Sequence, residues 1–251
     1  MRLVLKVEPA NLIFDGLRNI ELPPLARPPV GPFDEPTEDL VLWGLRDYAY
    51  SSIAHIRTIL SGLMDLASSG NQPTIFIVCR HVFEWTMLSC YVGQMMDQHL
   101  KNLDWKAAWE FFLEVDTGNS WIKKHGSKYW NSVDPDYVPN SIRIAKLVKA
   151  YEKHQRGVHG SQDVQDSYGY LSEHAHANGA CFLSYRRLNG SEVSFVEAPK
   201  VHGFPGVLHA SITEWLMFTH GLLGLGKEDS VRLQILTIIK QLAQSAREVQ
   251  E

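Results

Sequence analysis

Cysteine is scarce in this chain: three residues, Cys79, Cys90 and Cys181, among 251. An odd count leaves one thiol unpaired in any intramolecular scheme, and none of the three has C-x-x-C spacing. A disulfide scaffold is therefore excluded, and the thiols read as reduced core residues of a cytoplasmic protein. Charge of one sign is not in excess either. Twenty-four basic residues stand against 28 acidic ones, a formal net charge of -4, which gives no general attraction to nucleic acid or anionic lipid. Long apolar runs are missing. The Met1–Leu5 stretch is interrupted at Lys6 and Glu8 and lacks the h-region of a signal peptide. The closest approach to a membrane span, Val207 to Leu225, contains His209, Glu214, His220 and several glycines, so no membrane partner is expected. No P-loop, G-x-S-x-G, H-E-x-x-H or strand-linked G-x-G-x-x-G occurs, which leaves no sequence ground for a nucleotide, metal or other cofactor.

What is present is an ordinary globular composition, 45% hydrophobic and 21% charged. A domain of this length buries roughly 70–75% of the surface of its unfolded chain and needs no crosslink. Six of the twelve prolines fall between Leu22 and Pro36. Because proline fixes φ and disfavours helix before it, residues 1–36 are expected to form an extended N-terminal strap, with a short strand over Arg2–Glu8. Residues 37–251 are expected to form a single helical domain.

Thr37 is placed to cap a long helix with Glu38 and Asp39 in its first turn, running to Ser68-Ser69-Gly70. Asn71-Gln72-Pro73 starts a second helix, apolar on every face from Ile75 to Met96 and hence central. Asp104 caps a third through Val115, with Trp121–Lys124 as an extension. Asn140 or Ser141 caps a fourth to about His154, and the fifth runs from Ser161 to Asn178-Gly179. The period then changes: Cys181–Leu188 and Ser191–Glu197 flank Asn189-Gly190, a β-hairpin signal that would set Arg187 opposite Glu192. Gly206–Leu225, closed by a glycine-rich cap, and Asp229–Gln250 complete the chain. The expected fold is mainly α, a bundle of six or seven helices with one β-hairpin near residues 181–197.

Arg80 and Glu84 lie one turn apart on the apolar second helix and so share a face. Two charges there need partners, because unpaired burial costs several kcal/mol. On the fifth helix Tyr168, Ser172 and His176 recur at i, i+4 and i+8. His174 lies on the other side of that helix, so H-x-H cannot easily chelate a metal. Glu173 and His176 make a single E-x-x-H, half of what a di-iron site requires. We therefore expect Arg80 and Glu84 to face Ser172 and His176 across a helix contact, with Tyr168 and His81 as neighbours. Glu84 would orient the His176 imidazole, and Arg80 would fork a phosphate or carboxylate. A dry polar network that only sets helix register is the competing expectation.

The stretches Arg80-His81-Val82-Phe83-Glu84 and Tyr170-Leu171-Ser172-Glu173-His174-Ala175-His176 resemble a bacterial family of uncharacterised helical proteins, a domain of unknown function. That family pairs an R-x-x-x-E helix with a Y-x-x-L-S-x-x-x-H helix. The resemblance spans about Thr37–Gly179, implies a helical core and marks Arg80, Glu84, Ser172 and His176 as signature positions. A looser resemblance is to HEPN-type helical nucleases, which place Arg and His on one helix as R-x(4–6)-H; the fifth helix has no Arg at that distance before His176. It implies metal-independent RNA cleavage with His176 in acid–base duty and Arg80, beside Glu84, stabilising the phosphate.

Between Ile122 and Arg156 eight basic residues face three acidic ones. Arg143, Lys146, Lys149 and Lys153 share one helix face, either solvated or turned toward RNA. The leading expectation is an intracellular ligand-binding or regulatory domain for a small anion. The alternatives are the ribonuclease and a scaffold that binds another protein or a second copy of itself.

Overall fold

In the computed structural model, residues 7–26, 35–69, 72–117, 142–158, 164–175, 186–189, 192–195 and 204–248 are described. Eight helices occur among them: α1 (Val7–Asn19), α2 (Glu38–Ser69), α3 (Gln72–Lys101), α4 (Trp105–Thr117), α5 (Ile144–Val158), α6 (Val164–Ala175), α7 (Phe204–Leu225) and α8 (Asp229–Glu248). The molecule is mainly α, as the periodicity implies.

Capping chemistry starts two of the helices where the sequence places them. Thr37 Oγ1 accepts from the Leu40 amide at 3.3 Å, and Asp104 Oδ1 accepts from the Ala107 amide at 3.0 Å. Each satisfies an N–H that has no partner within its own helix. Helices α3 and α7 end differently, each with one residue in the left-handed region, Leu103 (φ 54°) and Lys227 (φ 54°). The following amides reach back five residues, Asp104 to the His99 carbonyl at 3.0 Å and Glu228 to Leu223 at 2.8 Å. This is the Schellman closure, and here both helices make it without glycine at the left-handed position.

Helix α3 is the axis of the bundle, with α2, α4, α5, α6 and α7 packed around it. The larger core joins Ile53, Ile56 and Leu60 of α2, Phe76, Val82 and Met87 of α3, Trp215 and Leu216 of α7, and Val231 and Ile235 of α8. A second core, Leu40, Leu45, Val92, Met96, Trp109 and Phe112, fills the α2–α3–α4 end. Gly44 makes the α2–α4 approach close enough that a Cβ would sit 3.0 Å from the Trp109 ring. Among the described residues one helix, Thr74–Lys101, is long and apolar enough by composition to cross a membrane, at mean hydropathy 1.3. It is the central helix, not the 207–225 segment that the sequence singles out, and more than half of that window is buried inside the bundle.

The N-terminal expectation needs correction. Val7–Asn19 is helical, not part of an extended strap. Ile13, Leu17 and Ile20 are buried in the main core, and α1 lies against α8 and α2. The 3–4 spacing of these residues carries the helix, and Pro9 falls in its first turn, where the missing N–H costs nothing. Gly16 lets α1 cross α8 closely: a Cβ would come within 2.7 Å of Ile238. Residues 20–26 and 35–37 are non-helical, as the prolines require; 1–6, including most of the expected strand, lie outside the described residues.

Helix α5 begins at Ile144, three or four residues after the expected cap, and continues through Gly157 to Val158. Two short strands, β1 (Arg186–Asn189) and β2 (Glu192–Phe195), pair antiparallel. Their register sets Asn189 opposite Glu192 and Arg187 opposite Ser194, two residues from the expected Arg187–Glu192 pair. Asn189 is thus taken into the ladder as a paired residue instead of being left in the turn.

Candidate functional site

Arg80 and Glu84 share a face of α3, as their spacing implies, and there they meet Tyr168 of α6. Arg80 Nε donates to Glu84 Oε1 at 2.9 Å, and Arg80 Nη2 donates to the Tyr168 hydroxyl at 3.0 Å. That hydroxyl donates in turn to Glu84 Oε1 at 3.1 Å. The three groups close a triangle across the α3–α6 seam, with the guanidinium carbon 5.4 Å from the Tyr168 ring centroid. Partial burial by itself would lower the Arg80 pKa. The Tyr168 hydrogen bond and the Glu84 charge outweigh it and hold the group above its ordinary value. The node is only partly covered, its two charged side chains being 22% and 30% exposed.

Ser172 follows Tyr168 by one turn of α6, and its Oγ is buried with no hydrogen-bond partner among the described residues. A lost hydroxyl hydrogen bond in such a place costs about 1–3 kcal/mol, so this atom is where the seam has unused hydrogen-bonding capacity. His176 lies outside the described residues.

His81 requires a correction. It is turned to α2, not to the Arg80 node: its Nε2 lies 2.8 Å from His55 Nε2. The His55 ring sits 4.4 Å from the Trp85 ring, tilted by 36°. Trp85 Nε1 donates to Ser52 Oγ at 2.6 Å, and the same oxygen takes the Trp215 indole N–H at 2.9 Å. One serine therefore anchors two tryptophans, using both lone pairs of its hydroxyl.

Arg143, Lys146, Lys149 and Lys153 are all exposed, the three lysines on α5 and Arg143 one residue before its start, not on the helix face expected for all four. The opposite side of that helix carries a polar cluster that sequence reasoning missed. Glu214 of α7, 9% exposed, receives the Tyr151 hydroxyl on Oε2, and Gln155 Nε2 lies 2.6 and 2.7 Å from its two oxygens. Burial, then Glu214 as hydrogen-bond partner and charge, push the Tyr151 hydroxyl well above its ordinary range. Burial followed by the Glu214 charge raises Cys90 to about 12, and burial raises Cys79 to about 12. Both thiols are free and neutral, as expected of core residues; Cys181 lies outside the described residues. The signal was available: Glu214 is the sole Asp, Glu, Lys or Arg in the 22 residues of α7, and Tyr151 and Gln155 share a face of α5.

An open cleft of about 600 Å³ lies between α1 and α2, away from the Arg80 node, with Phe14, Asp15, Arg18, Ser61 and Asp65 in its lining. Its wall includes Arg57, whose guanidinium donates to the Leu17 and Ile20 carbonyls. A cation on the last carbonyls of α1 complements the helix dipole. No group of three or more metal-ligating side chains is assembled among the described residues.

His220 gives the fold an acid-sensitive joint. Arg232 Nε donates to His220 Nε2 at 3.2 Å, joining α7 to α8. Burial, then the Arg232 charge, lowers the His220 pKa below 6.5. The unfolded chain therefore binds this proton more readily than the folded one. The joint's stability is complete above pH 6.5 and is lost as the pH falls from there through the folded pKa. His220→Gln should flatten the decline in urea-unfolding stability between pH 7 and ~5. An unchanged decline would show that the joint does not titrate.

Comparison with protein-family models, with curated proteins and with solved structures finds no match.

Proposed function

We propose that this chain is a helical ligand-binding domain whose site is the α3–α6 seam and whose ligand is a small anion bearing a phosphate or carboxylate. Arg80 supplies the charge. Glu84 and Tyr168 hold its guanidinium in one orientation, which removes the rotamer cost a ligand would otherwise meet. The observation that carries this reading is Ser172 Oγ, buried and, among the described residues, without a partner one turn from Tyr168. A polar atom of that kind needs a ligand or water to complete it. His176, four residues further along the sequence, belongs to the proposal as the group that gives or takes a proton.

Calorimetric titration with inorganic phosphate and short carboxylic acids tests the reading. Arg80→Gln should lower affinity by about 10- to 100-fold, the range of a charge-assisted hydrogen bond, and Ser172→Ala by a smaller factor. Equal affinity for wild type and Arg80→Gln, both folded by circular dichroism, would refute it. Wild type silent toward every anion, together with a Ser172→Val variant of raised stability, would reduce the seam to a structural network of a scaffold.

The exposed basic row on α5 favours a second reading, an RNA-facing surface with His176-dependent cleavage. Under it, a Lys146→Glu/Lys149→Glu variant weakens RNA binding and makes it less salt-dependent, and His176→Ala abolishes cleavage. Binding and cleavage unchanged by these substitutions would leave the row a solvated face.

A further inference from the structure

We propose that the open cleft between α1 and α2 binds an amino acid whose carboxylate and ammonium stand at the two ends of a methylene chain, a class that includes free lysine. The site is separate from the Arg80 seam and does not rest on that reading. Its volume of about 600 Å³ falls among small-molecule sites, roughly 300–1,000 Å³.

Charge is sorted along the cleft. Arg57 marks one end, where its guanidinium donates to the Leu17 and Ile20 carbonyls at the close of α1. Arg18, in the last turn of α1, brings a second cation to that end. Asp65 lines the cleft two turns further along α2, about 12 Å from Arg57 at 1.5 Å per residue. Asp15, one turn back from Arg18, is the second acid of the lining. The rest of the wall includes Leu17 and Leu60, each 1% exposed, and the half-buried Phe14. Cations at one end, an acid at the other and hydrocarbon along the wall match the ends and the middle of such a ligand.

Two further observations support the match. Arg57 is half-buried, and no carboxylate lies within ion-pair distance of it among the described residues. The helix end it meets carries only about half a unit charge, and burial lowers the Arg57 pKa with no anion to offset it. A ligand carboxylate supplies that anion, in charge-assisted hydrogen bonds from the guanidinium. Toward the acidic end, the Ser61 hydroxyl donates to the Arg57 carbonyl at 3.0 Å. Its oxygen is thereby left as an acceptor, and it lies one turn from Asp65, the counter-charge of the ammonium.

Calorimetric titration of the full-length chain with 6-aminohexanoate tests the proposal, with hexanoate and hexylamine as probes that each lack one charge. The zwitterion should bind about tenfold or more tighter than either, the range of one charge-assisted hydrogen bond. Arg57→Gln also uncaps α1, so the charge tests use Arg18→Gln and Asp65→Asn, both at exposed positions. Asp65→Asn should bring 6-aminohexanoate down to the affinity of hexanoate and leave hexanoate unchanged, whereas Arg18→Gln should weaken both. Arg80→Gln should alter none of these affinities, so failure of the Arg80 seam as an anion site would leave this result standing. Absence of binding at millimolar 6-aminohexanoate, equal affinity for all three probes, or binding lost in Arg80→Gln and kept in Asp65→Asn would overturn the proposal.

Discussion

Glu214→Leu should lower the stability of the protein by about 3–5 kcal/mol, the cost of breaking a buried polar network by removing one partner. The carboxylate takes the Tyr151 hydroxyl on one oxygen and the Gln155 amide on both. All three residues are at most 9% exposed, so water cannot replace what is lost. Leucine fills the space and leaves a phenol and an amide facing hydrocarbon, each worth about 1–3 kcal/mol unsatisfied. Glu214→Gln should cost far less, because its carbonyl oxygen still accepts from one donor. The sharper measurement is the combination: Glu214→Leu/Tyr151→Phe should be less destabilised than the sum of its single changes, since removing both partners leaves one fewer orphan. Denaturant unfolding with a constant m-value reads these differences. A Glu214→Leu protein as stable as wild type would mean that the three groups do not meet in the folded state.

The second large effect is expected at Trp215. Its side chain is fully buried, at the centre of the main core where α7 meets α2 and α3. Truncation to alanine removes its contacts and leaves a cavity the rigid helices cannot close, for a loss of about 3–5 kcal/mol. Trp215→Phe keeps most of the volume and loses the indole N–H to Ser52 Oγ, so it should cost about 1–2 kcal/mol. Ser52→Ala probes the same oxygen from the other side. It strips the acceptor from Trp85 and Trp215 together, and it should exceed Trp215→Phe in cost because two donors lose their partner. If Ser52→Ala were neutral, the two indoles would not depend on that hydroxyl.

The helices were legible because their signals are local. Thr37, Pro73 and Asp104 act within one turn, and the all-round apolarity of residues 75–96 places α3 at the axis without reference to any neighbour. Arg80, Glu84 and Tyr168 were also within reach, because i, i+4 spacing on a buried face obliges two charges to find a partner. The failures have separate causes. Val7–Asn19 carries its own apolar spacing, yet its burial exists only where Gly16 meets Ile238 of α8. His81 sits beside Arg80 in sequence and points to another helix, because a step of one residue turns the chain by about 100°.

Composition, caps and periodicity therefore determined on their own that this is a bundle, which helix is central, and that Arg80 and Glu84 share a face. Only tertiary structure decided that Tyr168 completes their triangle, that His55 and His81 approach to 2.8 Å, and that Glu214 is answered from a helix about 60 residues away. The reason is physical. Helix formation is governed by interactions within a few residues, whereas a polar site on a bundle depends on how separate helices are rotated and offset, which is set by the packing of their apolar faces.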